Sequence, residues 1–189
     1  MSILHALILA LVEGLTEFLP VSSTAHLLFT EELLGIHQTE YVKMFTVSIQ
    51  FGAIIAVVVA YWKRFFVNIK WSFYKVLAIA VLPALVLGKL FDDKIEAVFE
   101  KPLIIAIVLI VGGVVLLFID RIFANQAQIK DQEVSTRQGL FIGLWQCLAM
   151  MPGVSRSAAS IIGGMQQGLN RKSAAEFSFF LAVPTMAAV

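Results

Sequence analysis

The sequence predicts an all-α, polytopic membrane protein built from inverted-topology repeats with two re-entrant, broken-helix regions. Hydrophobic residues make up 59% of the 189 residues and charged residues only 14%, whereas a soluble domain carries about 25% charged residues. Some apolar runs approach the roughly 20 residues that a helix needs to cross a bilayer. A proline-broken, serine-rich segment also occurs twice. The low charge excludes a disordered chain, and the single cysteine excludes a disulfide scaffold.

The apolar runs differ in length, and the lengths predict different elements. The first run, 3–19, is interrupted by two glutamates. Three further runs are long enough for membrane-spanning helices: 44–62, 73–91 and 103–119. The runs after residue 137 are shorter, which is typical of re-entrant or half-membrane helices: 139–151, 157–169 and 174–189.

The charges between the runs predict an orientation, because lysine and arginine are most frequent in loops on the cytoplasmic side. Loop 63–75 holds four basic residues, loop 92–101 two, and loop 121–137 three. This distribution places the first and third loops inside and the second outside, and it places 20–43 toward the outer face. The amino terminus has no basic region before its apolar run, so we expect no cleaved signal peptide.

An internal repeat relates the two proline-broken segments. The Val-Ser-Ser-Thr of 21–24 aligns with the Val-Ser-Arg-Ser of 154–157, in both cases shortly after a proline. Repeats of this kind often place a binding site in broken helices at the repeat interface. The alternative is that two proline-broken apolar helices resemble each other by chance.

The repeat also predicts the domain organisation. We expect one integral membrane domain over 1–189, with a first repeat over about 1–120 and an incomplete second repeat over about 138–189. That second repeat would have no counterpart to 58–120. We therefore expect the sequence to be truncated at its carboxy terminus.

Two carboxylates stand in the first apolar run. Glu13 and Glu17 are four positions apart and face the same side of a helix. Burying an ionised carboxylate is costly, so a charged residue in a membrane segment is read first as functional. Oxygen ligands suit Mg²⁺ or Ca²⁺, and the pair predicts a divalent-cation site. The alternatives are a structural salt bridge or a helix end among lipid headgroups.

The segment after Pro20 predicts a phosphate site. Ser22, Ser23 and Thr24 are typical residues for the start of a new helix, and a helix amino terminus attracts phosphate. His26 lies three residues after Ser23, where an imidazole can act as its base or itself attack phosphorus. A histidine at a helix start can also be a structural hydrogen-bonding residue.

The second broken segment has an arginine in place of the central serine. Arg156 can bind phosphate with two parallel hydrogen bonds, or it can extend toward lipid headgroups. Four further polar residues are predicted to bind substrate: Ser155, Ser157, Ser160 and Gln50. Together the two segments predict a site for a multiply charged phosphate ester in a membrane enzyme. A transporter or flippase for an anionic lipid is the alternative, because repeat halves with broken helices also suit alternating access. The net charge of +1 gives no reason to expect nucleic acid.

The motifs EGLTEFLPVSSTAH at 13–26 and PGVSRS at 152–157 resemble the two signature segments of the undecaprenyl-diphosphate phosphatase family, the bacitracin-resistance proteins. The resemblance extends to QFG at 50–52 and EFSF at 176–179. It implies an inner-membrane enzyme that hydrolyses undecaprenyl diphosphate to the monophosphate and phosphate, recycling the lipid carrier for peptidoglycan synthesis. Its partners would be the polyprenyl diphosphate and membrane lipids, with a homodimer as one assembly.

The resemblance also implies roles for five residues, in a site that opens to the outer face. Glu13 and Glu17 would be the metal-linked acidic pair, Ser23 and His26 the nucleophile and its helper in either order, and Arg156 the diphosphate clamp. Three positions depart from the family pattern: Ala25 and Ala158 replace usual glycines, and Ser160 replaces a usual threonine.

Overall fold

A computed structural model describes residues 1–99, 101–124 and 131–188, except for the side chains of 92–94, 96 and 120. Within these ranges the chain forms α-helices and no β-strand, which confirms the predicted all-α class. The α-helices are α1 Ile3–Thr16, α2 Ser23–Leu33, α3 Glu40–Ala60, α4 Trp71–Phe99, α5 Pro102–Ile122, α6 Thr136–Gln146, α7 Arg156–Gln166 and α8 Arg171–Met186. A π-helical turn, Lys63–Val67, follows α3, and a 3₁₀ turn, Cys147–Met150, follows α6.

Three helices in the described part of the chain are long and apolar enough to cross a membrane, as predicted: α3, α5 and the first 21 residues of α4. Many of their large apolar side chains are exposed, including Leu117 at 76%. Exposed apolar surface of this extent suits lipid rather than water. The chain is therefore a multi-pass membrane protein.

The prediction of a loop over 92–101 was wrong, because α4 continues as a helix to Phe99. Residues 92–99 contain neither glycine nor proline, so nothing in the local sequence ends the helix there. The next helix begins with Pro102 in its first turn, a position where proline's missing N–H is not needed.

The helix order supports the predicted breaks. A helix of 14 residues, α1, is followed by a break containing Pro20 and by the 11-residue α2. A helix of 11 residues, α6, is followed by a break containing Pro152 and by the 11-residue α7. The re-entrant course of these helices and the inverted topology of the two halves stay predictions.

Helix α6, which leads into the second break, packs closely on α4. A Cβ atom at Gly143 would lie 2.1 Å from the Ala80 carbonyl oxygen, and one at Gly139 would lie 2.6 Å from a methyl carbon of Val76. Since 76 is near 139 and 80 is near 143, α4 and α6 run side by side in the same direction. The missing side chains let the two backbones approach closely, which fixes the position of α6.

An aromatic cluster fixes α8 against the junction of α3 and α4. Phe180 contacts the rings of Tyr61, Phe65 and Phe73 edge to face, with centroids 4.9 to 5.6 Å apart. Edge-to-face contacts at this distance are favourable for aromatic rings. The contacts hold α8 rigidly in register beside α7.

Candidate active site

The two broken-helix regions meet at three residues. Ser23 Oγ donates a hydrogen bond of 2.5 Å to Glu17 Oε2, and Arg156 Nη2 donates one of 3.1 Å to Glu17 Oε1. All three side chains are largely buried. Glu17 follows the last residue of α1, Ser23 begins α2 and Arg156 begins α7. The structure therefore brings together an acid, a hydroxyl and a guanidinium that the sequence places far apart.

Glu13 lies one turn before Glu17 and is only 1% exposed. Neither of its carboxylate oxygens has a hydrogen-bond partner among the described residues. Its carboxylate is repelled by that of Glu17 and attracted by the Arg156 guanidinium. A buried acceptor without a donor is costly, so this carboxylate suits a cation.

The donor set around Glu13 fits a cation that also binds phosphate. Among the described residues no group of three His, Cys, Asp or Glu side chains is close enough to hold a metal ion by itself. Mg²⁺ is commonly bound by one or two carboxylates, with water and substrate phosphate completing its six ligands. Glu13 and Glu17 match that arrangement.

Arg156 is held from two sides. Besides Glu17, it donates from Nη1 to the backbone carbonyl of Ser178 at 3.1 Å. Its Nε–H is buried and has no partner among the described residues. A guanidinium presents five N–H donors in a fixed plane, so donors remain for an anion once these contacts are made.

His26 contacts its own helix rather than Ser23. Its Nδ1 lies 2.9 Å from the carbonyl oxygen of Ser22. A carbonyl only accepts, so Nδ1 carries the proton in this contact, and the tautomer with that single proton has a lone pair on Nε2. Ser22 has φ = 65°, a left-handed conformation that serine rarely adopts and that is common at functional sites.

The first turn of α2 offers backbone donors at the cluster. The N–H groups of Ser23, Thr24 and Ala25 precede any helical carbonyl that could accept them. The positive end of the helix dipole lies at the same place. Thr24 is half-buried in this turn. The turn is therefore suited to an anion.

The serines of the second segment contact protein rather than open space. Ser155 Oγ accepts from the Ala158 N–H at 3.2 Å and caps α7. Ser157 Oγ donates to the Phe18 carbonyl at 2.9 Å and joins the two broken regions. Their predicted role in substrate binding stays a prediction.

The other two predicted substrate-binding residues make no hydrogen bond to the Glu17 carboxylate in the part of the chain that the structure describes. Ser160 is fully buried and lies 2.7 Å from the hydroxyl of Ser178. Gln50 is half-buried on α3, and no hydrogen bond between described residues links its side chain to Glu17 or Arg156. Their predicted roles are likewise untested by these positions.

Sequence reasoning missed Ser178 as a neighbour of Arg156. It also gave no role to Glu31, which is 3% exposed. Thr46 Oγ1 donates to its Oε1 at 3.3 Å, and Gln38 donates to its Oε2. A signal was present: Glu31 is eight residues after Ser23, on the same helix face.

Several known proteins are similar to this chain over nearly its whole length. A model of the family described as "Bacitracin resistance protein BacA" matches residues 6–189. A protein named "Undecaprenyl-diphosphatase" from Flavobacterium psychrophilum is 53% identical over 186 residues, covering 98% of this chain and 69% of that relative. A relative of the same name from Bdellovibrio bacteriovorus is 48% identical over an alignment that covers 100% of this chain and 72% of that relative. One from Clostridium tetani is 41% identical over 97% and 71%, respectively.

Proposed function

This chain belongs to the family of the bacitracin resistance protein BacA, and we propose that it hydrolyses undecaprenyl diphosphate to undecaprenyl phosphate and inorganic phosphate. The relatives carry the name undecaprenyl-diphosphatase. The three helices of the described residues that are long and apolar enough to cross a membrane support a place in the bilayer, where a polyprenyl lipid resides. The reaction recycles the lipid carrier for peptidoglycan synthesis.

One observation carries the proposal. The Glu13 carboxylate and the Arg156 Nε–H, which are buried without a hydrogen-bond partner among the described residues, have opposite requirements. The first requires a cation or a donor, and the second requires an acceptor. A diphosphate with a bound divalent cation supplies both at once, since its oxygens accept from Arg156 while the cation meets Glu13. Neither requirement arises for an apolar ligand.

The cation in this proposal is Mg²⁺ or Ca²⁺, held by Glu13 and Glu17. It would reduce the negative charge on the diphosphate and make the terminal phosphorus more electrophilic. Arg156 and the first turn of α2 stabilise the charge that develops on the phosphoryl oxygens. Arg156 also neutralises Glu17, which lowers the repulsion between Glu17 and the incoming anion.

Ser23 is the nucleophile that the contacts favour. Its hydroxyl already donates to Glu17 at 2.5 Å, so Glu17 can take the proton as Oγ attacks the terminal phosphorus. The bond between that phosphorus and the bridging oxygen breaks, and undecaprenyl phosphate leaves. Water then hydrolyses the phosphoserine, which releases inorganic phosphate and returns the proton to Ser23.

His26 is the other candidate nucleophile, through its Nε2 lone pair. The two routes leave different covalent intermediates, because a phosphohistidine is labile in acid and a phosphoserine is not. Rapid quenching with substrate labelled at the terminal phosphate, followed by acid treatment and peptide mapping, distinguishes them. Label retained at Ser23 supports the serine route, and label lost in acid overturns it.

The activity itself is tested on the purified chain in detergent with undecaprenyl diphosphate. We expect phosphate release and undecaprenyl phosphate as the second product. Glu17→Ala serves as the inactive comparison and Ser48→Ala as the neutral one, because the Ser48 hydroxyl only contacts its own helix. Phosphate release no faster than that of Glu17→Ala would disprove the assignment. Transport alone would also give none, because detergent solution has no second compartment.

We further propose that the chain lies in the bacterial inner membrane with the site open to the outer face, and that it can form a homodimer. The basic loop 63–75 supports this orientation. Single cysteines in a Cys147→Ser background report it: we expect impermeant maleimide to label position 37 and not position 70 in intact spheroplasts. Labelling of position 70 alone would reverse the orientation, and crosslinking in membranes tests the dimer.

A further inference from the structure

Ser178 on α8 takes no part in the chemistry above, yet it contacts Arg156 by two routes. Its backbone carbonyl accepts a hydrogen bond of 3.1 Å from Arg156 Nη1. A helical carbonyl has a second lone pair for such a contact. Its side chain is fully buried and lies 2.7 Å from the hydroxyl of Ser160.

The second route runs through Ser160 to the backbone of Arg156. Ser160 Oγ lies 2.8 Å from the Arg156 carbonyl oxygen, and a hydroxyl has only one proton to donate. Ser160 Oγ also lies 3.2 Å from the Ser157 carbonyl oxygen, which is the more distant of the two carbonyls. When Ser178 donates to Ser160, the single Ser160 proton is free for the nearer Arg156 carbonyl. This places a two-hydroxyl link between α8 and the first turn of α7.

The same stretch of α8 also positions the opposite half of the site. Phe179 packs edge to face on Phe18, with ring centroids 5.3 Å apart, and Phe18 follows Glu17 directly. Consecutive residues of α8 thus contact the arginine and the neighbour of the acid. Phe180 packs in the aromatic cluster. Its contacts hold this stretch of α8 in place against both Arg156 and Phe18.

We propose that Ser178 is a positioning residue that sets the plane and distance of the Arg156 guanidinium relative to Glu17. The inference rests on the proposed function. The Ser178 carbonyl fixes one end of the guanidinium, and its hydroxyl, through Ser160, fixes the start of the helix that carries the arginine. Loss of the hydroxyl leaves the carbonyl in place and loosens the α7 anchor.

The test is a double-mutant cycle on the whole chain, with kcat and KM for phosphate release as readouts. Ser178→Ala is expected to lower kcat on the order of 10- to 100-fold, the usual effect of a misplaced reacting group. In an Arg156→Lys background, which has no planar guanidinium to orient, Ser178→Ala is expected to change kcat less than about twofold. If Ser178→Ala instead lowers kcat by the same factor in the Arg156→Lys background as in the unsubstituted chain, the proposal is overturned.

Ser160 tests the link from its other end. Ser160→Ala is expected to reproduce the loss in kcat, whereas Ser160→Thr keeps the hydroxyl and is expected to keep most of the activity. If Ser178→Ala does not yield folded protein, this pair decides the question. Equal activity of Ser160→Ala and Ser160→Thr would contradict positioning through the hydroxyls.

The outcomes also separate this inference from the proposed function. If the unsubstituted chain releases no phosphate, the proposed function is disproved. If the unsubstituted chain is active and Ser178→Ala keeps the same kcat, only the positioning role of Ser178 is disproved.

Discussion

The Arg156 guanidinium and the Glu17 carboxylate are 3.1 Å apart, although 139 positions separate them in the chain. Glu17 comes from the break between α1 and α2, and Arg156 from the start of α7. The ion pair therefore joins the two proline-broken regions. It also places both charges beside the Ser23 hydroxyl and the Glu13 carboxylate.

Removing either charge should stop the reaction without preventing membrane insertion. Arg156→Ala is expected to lower phosphate release about 10²- to 10³-fold, because it removes stabilisation of the developing charge. Glu17→Gln is expected to lower it about 10²- to 10⁴-fold, because it removes the base. Membrane fractionation and turnover in detergent measure both. Near-normal turnover in either variant would contradict the site.

Stability and activity should respond differently to loss of the pair. A buried ion left without its partner costs about 3–5 kcal/mol, while removing both partners is much less costly. The double variant Glu17→Gln/Arg156→Met is therefore expected to unfold at a higher temperature than Arg156→Met alone, while remaining inactive. Thermal unfolding in detergent checks this order, and a double variant less stable than the single one would argue against a buried pair.

Chelation should abolish phosphate release if a divalent cation lies at the two glutamates. EDTA is expected to stop turnover, and added Mg²⁺ or Ca²⁺ to restore it. Glu13→Gln is expected to raise the cation concentration for half-maximal activity about 10-fold or more, because it removes an oxygen ligand. Turnover that is indifferent to EDTA would remove the cation from the mechanism.

Close packing of α6 on α4 predicts a size limit at Gly143. Gly143→Ala places a Cβ 2.1 Å from the Ala80 carbonyl oxygen, and overpacking of this kind costs about 1–3 kcal/mol. Gly112→Ala is the matched control, since nothing lies within 4 Å of a Cβ there. Thermal unfolding should separate the two. A Gly143→Ala chain as stable as Gly112→Ala would show that α6 and α4 are not in contact.

The segment just before α6 is fastened by exposed ion pairs. Lys172 donates to Asp131 and Lys70 donates to Glu133, each at 2.5 Å. These contacts hold the pKa of both carboxyls below their usual values and raise the pKa of Lys172. A carboxyl whose pKa is lowered by folding stabilises the folded contact at any pH above its ordinary pKa, and this stabilisation is lost as the pH falls through the lowered pKa. A lysine whose pKa is raised by folding stabilises the contact at any pH below its ordinary pKa, and this stabilisation is lost as the pH rises through the raised pKa.

Protection of residues 131–134 from hydrogen exchange should therefore be greatest between about pH 5 and 10. It should fall below about pH 4 and in 1 M salt, because exposed pairs are screened. Asp131→Asn should weaken protection at neutral pH. Ser72→Ala, which removes no hydrogen bond found among the described residues, serves as the control. Protection that is independent of pH and salt would contradict an ion-pair attachment.

Sequence patterns predicted the class, the three spanning helices and the pairing of the two broken segments, because each depends on local periodicity or on proline. They also predicted Glu17, Ser23 and Arg156 as site residues, since charge and helix-start chemistry are visible in short stretches. The contacts among these residues were not predictable in the same way. Ser23 was expected beside His26 from helical spacing, but its hydroxyl donates to Glu17 across the break.

Long-range packing explains what the patterns missed. Ser178 lies in the EFSF stretch of α8, and no local pattern there predicts a partner; its contact with Arg156 arises from how α7 and α8 pack. Glu31 was likewise not predicted as a buried residue. The return of α3 past α2 brings Thr46 to it and buries it. Such contacts depend on the register between helices, which a single helix does not encode.

The contribution of α8 has a consequence for biosynthesis. The two carboxylates lie at 13 and 17, whereas the arginine comes at 156 and its carbonyl partner at 178, so the acids are made before the groups that contact them. A growing chain that has inserted α1 to α5 holds both acids before Arg156 has been made. The site thus forms only when α8 packs, so hydrolysis begins after residue 178 has joined the membrane fold.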